Sequence, residues 1–150
     1  MSFVAGSRVR AAFALLALTG VLAGCADGID RTDPGSVAYA YFVAMAGGDV
    51  EAASDLMTPV SREAFEAMTL GGTVNEGTYS LSVGGVTVTD DTARATLVGE
   101  MCVDAGQDEP LCMTNDDPNS QDPSFVVDLV KQGDEWCVWF PLLEQNLPDG

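Results

Sequence analysis

Histidine is absent from the 150 residues, and with it go the commonest general base, the Ser-His and Cys-His nucleophile pairings and the zinc sites that use imidazole. Basic residues are scarce: 6 Lys and Arg stand against 23 Asp and Glu, for a formal net charge of −17. Such a body repels nucleic acid and anionic lipid alike, so no nucleic-acid partner is expected. It favours cations or a basic partner, while the plainer reading is a surface kept in solution by like charge. Gly71-Gly72 and Gly84-Gly85 lack the Lys-Ser/Thr that a phosphate-cradling loop needs. No cofactor motif, nucleophile arrangement or internal repeat is present. An enzyme is therefore not the expectation.

The main apolar run, Ala11 to Ala23, is interrupted only by Thr19 and Gly20 and preceded by Arg8 and Arg10. That is signal-peptide anatomy, and it falls short of the roughly 20 apolar residues that a spanning helix requires. The run ends on Val21-Leu22-Ala23-Gly24-Cys25, which resembles the lipobox of bacterial lipoproteins, matching its Leu-Ala-Gly-Cys core residue for residue. The resemblance implies cleavage before Cys25, a thioether-linked diacylglyceryl group on that cysteine with acyl chains of the palmitate kind, and a protein on the extracytoplasmic face of the cell membrane. An ordinary secretory signal, with Cys25 merely near the cut, is the alternative. Two acyl chains, at about 0.8 kcal/mol per buried methylene, hold stably where one does not, so the protein surface need not touch lipid.

Removing residues 1–24 takes Arg8 and Arg10 but no acid, leaving four bases against 23 acids, a net charge of −19. About 126 residues then remain, enough for one domain with one core. Residues 25–33 read as an acidic tether, 34–142 as the domain and 143–150 as a C-terminal tail. Asp33-Pro34 starts a helix on which Val37, Tyr41, Ala44 and Met45 recur at helical spacing, and Gly47-Gly48 ends it. Asp49 caps a second, short helix through Leu56-Met57. Thr58-Pro59 opens a third carrying Phe65 and Met68.

After Gly71-Gly72 the period changes to two. Tyr79, Leu81 and Val83 alternate with serines, Gly84-Gly85 suggests a bulge before Val86 and Val88, and Asp90-Asp91 makes a turn. Ala93, Ala95, Leu97, Gly99 and Met101 form the next inward row, followed by Phe125, Val127 and Leu129. A last turn at Gln132-Gly133-Asp134 leads into Trp136, Val138 and Phe140. Helices first and an antiparallel meander second give an α+β fold with the helices on one face of a curved sheet.

The run Val43 to Ala53, with Gly47-Gly48-Asp49 at its centre, resembles the helix–Gly-Asp–helix opening of the nuclear-transport-factor-two-like (NTF2-like, cystatin-like) superfamily. Val86 to Ala93 is similar to its central hairpin, and Asp134-Glu135-Trp136-Cys137-Val138 to its closing strand. The resemblance, over about Ser36 to Pro141, is to the small bacterial lipoproteins of that superfamily. It implies a cone around an apolar cavity, with Tyr41, Met45, Phe65 and Trp136 as candidate lining, for a small apolar ligand or an envelope protein partner. Some members are isomerases, and Tyr41 stands where those carry an oxyanion-binding tyrosine. Their base aspartate, by the same register, falls on Phe65. A non-catalytic binding module is thus the first reading, and an isomerase-like enzyme with Tyr41 as oxyanion donor the alternative.

A long loop, 104–123, carries six acids and no base. Asp117-x-Asn119-x-Gln121 tempts a calcium reading, but Asp122 stands where an EF-hand loop needs glycine, so no metal site is assigned. The plain reading is a solvated excursion, plausible as a partner contact. With Cys25 lipidated, Cys102, Cys112 and Cys137 remain in an oxidising compartment. Cys102–Cys112, flanking the root of the loop, is the preferred disulfide, with Cys137 a packed thiol; Cys102–Cys137 is the rival.

Overall fold

The computed structural model describes residues 28–69, 77–104 and 108–140; the leader 1–24, Cys25 and the tail 143–150 lie outside that range. Asp33 accepts the backbone N–H of Ser36 over 2.8 Å and, with Pro34 at the first helical position, starts α1 (Pro34–Ala46). The helix stops at Gly47, and Gly48 takes a left-handed φ of 70°. Asp49 caps α2 (Val50–Asp55) by accepting the N–H of Ala52 over 3.0 Å. Thr58 does the same for α3 (Pro59–Thr69), its Oγ1 accepting from Ser61 N–H at 3.2 Å. Ala38, Ala44, Ala46 and Ala53 are buried on α1 and α2, and side chains that small let the helices lie close to the sheet.

Five strands, β1 (Gly77–Thr89), β2 (Thr92–Val103), β3 (Leu111–Asn115), β4 (Val126–Gln132) and β5 (Glu135–Val138), form one antiparallel sheet; four run in the order β1-β2-β4-β5, and β3 pairs with β2 beside that path. The spine is β2. It pairs with β1 along its length, bulged between Val83 and Gly85, while its other margin is shared: Gly99–Val103 pairs with β3 and Thr92–Thr96 with β4. The chain is α+β, with the N-terminal helices packed on a curved antiparallel sheet, as expected. Ala93, Ala95, Leu97, Phe125, Val127, Leu129, Trp136 and Val138 close on Val37, Phe42, Leu56, Met57 and Phe65. Full burial of side chains such as Leu97, Leu129 and Phe125 contributes about 1.5–3 kcal/mol each.

The two margins of the sheet differ. Along β5 the free edge is sealed by the chain itself: Trp136 N–H donates to the Arg31 carbonyl (2.8 Å), Val138 N–H to Leu56 (2.7 Å), and Thr58 N–H to Val138 (3.0 Å). Along β1 no described residue pairs with the outer edge. The alternating row on β1 keeps its parity, since Tyr79, Leu81, Val83, Val86 and Val88 stand opposite the inward positions Met101, Gly99, Leu97, Ala95 and Ala93. Of the five, however, only Leu81 is buried. α1 lies along β1, with Gly35 against Val83 and Val86, but it leaves these side chains about half open. Met68 is likewise exposed, on the outer side of α3.

Two expected boundaries move. Residues 104–123 are not one loop, because Leu111–Asn115 forms β3 and pairs with β2, Leu111 to Val103 and Met113 to Met101. The tether read as 25–33 gives way by Ile29, which packs against the core, and Arg31, whose carbonyl is bound to β5. One apolar side chain and one backbone acceptor suffice to draw an otherwise polar stretch onto the domain.

Candidate functional site

The four residues expected to line a cavity fall into two pairs. Phe65 and Trp136 are core members, each 5% exposed, whereas Tyr41 and Met45, one turn apart on α1, are half-buried at the core's margin. The Tyr41 ring meets Phe42 edge-on at 5.7 Å and Phe140 at 6.5 Å. Burial pushes its hydroxyl up to about 12, since desolvation penalises the phenolate. A phenol raised in this way stays neutral, and so remains a hydrogen-bond donor, across the physiological range. The buried polar side chains described are Ser54, Thr58, Ser61, Thr96 and Asn115, with no acid among them. Phe65 is a packed core residue, and no described carboxylate is buried beside it.

All four bases of the described chain are engaged. The Arg31 guanidinium donates to the Asp55 carbonyl at 2.9 Å and stands 3.9 Å from Glu135, while Arg62 donates to the Ser54 and Asp55 carbonyls at 3.0 and 3.3 Å. Two cations thus meet the C-terminal end of α2, where the helix dipole and the last carbonyls favour them. Arg94 forks onto both oxygens of Asp128 (2.7 and 3.1 Å) and takes Gln121 Oε1 at 3.1 Å. Lys131 Nζ lies 5.9 Å over the Trp136 ring. None of the four is left to meet an anion, and the acid surplus lies on the exposed surface.

Between β3 and β4 the acidic segment is a strap. Asp117 N–H donates to Asn115 Oδ1, Asn119 N–H to Asp117 Oδ1, and Ser124 N–H to Asp122 Oδ1, so its carboxylates and amides cap its own turns. Of the oxygens that tempted a calcium reading, Asp117 Oδ1 accepts the Asn119 N–H and Gln121 Oε1 accepts from Arg94. The strap crosses the outer face of the sheet. Pro118 lies against Gly84 and Gly85, where a Cβ on Gly85 would come within 2.7 Å of the Pro118 carbonyl oxygen, and Thr96, opposite Gly85, is only 5% exposed despite its outward parity. The Asx-turn residues and the glycine pair were signals of this contact that the sequence reading took separately.

At the other end of the strap's hairpin, Cys102 and Cys112 stand directly opposite each other across β2 and β3 and are bonded, with Cα atoms 4.0 Å apart. Cys137 is buried and takes no part in a disulfide.

No known family profile matches the chain, and no curated protein matches it. Among solved structures, a SEC-C motif containing protein from Rhodopseudomonas palustris aligns with a TM-score of 0.46 and 12% identity, over 73% of this chain and 77% of that one. A candidate dehydratase of the NTF2-like family from Streptomyces avermitilis aligns with a TM-score of 0.45 and 17% identity, over 74% and 90%. Likeness this weak carries nothing about chemistry or ligand.

Proposed function

We propose that this chain is a lipid-anchored cell-envelope protein on the extracytoplasmic side, whose NTF2-like domain binds a small apolar ligand or an envelope partner without converting it. The observation that carries the location is the cysteine arrangement: Cys102 and Cys112 are joined, Cys137 is buried, and the remaining cysteine is the one in the lipobox. A disulfide suits an oxidising compartment. The non-catalytic part is supported by Phe65 and by the lack of a buried acid among the described residues, which leave the isomerase-like alternative without a base there.

Intact-mass analysis of detergent-extracted protein tests the anchor. The wild type should carry a diacylglyceryl adduct that Cys25→Ser lacks, and a wild type without the adduct sinks the reading. For the binding role, native mass spectrometry of gently extracted protein should find a co-purifying small molecule or protein. Turnover of an added ligand that Tyr41→Phe cuts by about a hundredfold, the effect of losing an oxyanion donor, would overturn the non-catalytic claim.

A further inference from the structure

We infer that the outer edge of β1 is a strand-addition site for an extended segment of a basic partner protein. A sheet edge is a row of unpaired N–H and C=O groups, and folded domains blunt it with charge, proline or a covering segment. Here β5 is covered by backbone bonds from residues 31, 56 and 58, whereas β1 presents 13 residues, Gly77–Thr89, with no partner on that side among the described residues. None of the 13 is charged and none is proline, in a chain with 23 acids. The inward side is apolar and half-open: Tyr79 (41%), Val83 (39%), Val86 (39%) and Val88 (52%) line it, with Gly35 of α1 close enough that a Cβ there would touch Val83 and Val86.

Such a margin offers what β-augmentation uses, main-chain bonds for affinity and alternate apolar sites for side chains. Charge selects the occupant. Asp90 and Asp91 follow the strand directly, Asp33 stands beside Gly35, and every described base is engaged elsewhere. A second copy would bring the same acid surplus against itself. An extended segment of alternating apolar residues with Lys or Arg at its ends complements both the bare strand and its acidic rim. This deepens the partner-binding side of the proposed function and rests on it only in making the occupant a protein. Loss of the Cys25 adduct would leave this site untouched, and failure here would leave the anchor untouched.

The test is hydrogen exchange by mass spectrometry, with fluorescence anisotropy, on the full chain extracted in detergent. The probe is a synthetic peptide of alternating valine and threonine with two lysines at each end. Saturable binding with slowed exchange confined to residues 77–89 is expected. About a tenfold loss should follow from lysine-to-glutamate ends or from V86D and V88D, and binding should vanish when alternate peptide amides are N-methylated. Both valines are exposed; if those variants unfold, as circular dichroism would show, the glutamate-ended and N-methylated peptides still decide. No binding, or protection elsewhere, overturns the inference. So does slow exchange, in the free monomer, of the alternate amides of 77–89 that do not donate to β2, which would mean that the chain covers its own edge, or protection of those same amides that rises with protein concentration alongside a dimer mass, which would assign the edge to a second copy.

Discussion

Asn115 Nδ2 donates to the carbonyl oxygen of Leu97 over 2.7 Å. This bond sits where β2 changes partner, between its last pair with β4 at Thr96 and its first with β3 at Gly99, so a side chain replaces a rung that no strand is placed to supply. Asn115→Leu should orphan that carbonyl and cost about 1–3 kcal/mol. Urea denaturation reads it as a lower midpoint with unchanged slope, and an unmoved midpoint would mean that the bond contributes nothing net.

Three glycines should rank by what a methyl group would meet. Gly99 combines a φ of 126° with a Cβ position that falls on the Ser80 carbonyl oxygen, Gly85 abuts the Pro118 carbonyl without a positive φ, and Gly133 has a φ of 65° but open space. Alanine at these positions should therefore destabilise in the order Gly99, Gly85, Gly133, with the last costing about 1 kcal/mol. Thermal unfolding of the three variants checks the order. Equal shifts at Gly85 and Gly99 would put the whole cost in the clash.

Alkaline stability should depend on Tyr41. Its hydroxyl ionises near 10 in the unfolded chain and at about 12 in the folded one, raised by burial, so folding favours the neutral phenol. The contribution is complete below pH 10 and is lost as the pH rises from 10 through 12, because there the unfolded chain has released a proton that the folded one retains. Ultraviolet titration should show one of the 3 tyrosines ionising late. Tyr41→Phe should flatten the stability profile above pH 10.

Reducing the Cys102–Cys112 bond reopens a closure of 10 residues in sequence separation, which costs about 3 kcal/mol in the chain-entropy picture. Cys102→Ser and Cys112→Ser should lose similar amounts, and Cys137→Ala should leave non-reducing peptide maps unchanged. A linked Cys137 peptide would contradict the pairing seen in the fold.

The caps at Asp33 and Asp49, the bulge at Gly84-Gly85 and the turn around Gly133 were legible because each is a local choice made by one or two residues. Leu111–Asn115 escaped as a strand for the opposite reason. Its five residues follow Pro110 and lie among acids, and they become a strand only because β2 extends far enough to pair with them. The preference for Cys102–Cys112 already implied that adjacency. Burial along β1 was illegible in kind: alternation told which face Tyr79, Val83, Val86 and Val88 occupy, but exposure depends on where the helices stop, which no period encodes. Phe65 and Trp136 belong to the core and Tyr41 and Met45 pack against it, a division that follows from side-chain volumes meeting in space.

Arg31 is clamped twice, its carbonyl by Trp136 and its guanidinium by the end of α2, so the chain leaves the domain at a fixed point on the sealed margin. From there back to Cys25 the backbone can reach at most ~20 Å even when fully extended. With acyl chains on that cysteine, the domain would ride on a short leash, able to pivot but not to roam. An anchor there would hold the domain by its β5 margin, at the opposite end of the strand order from β1, and would leave the β1 edge on the part of the sheet farther along that order from the tether.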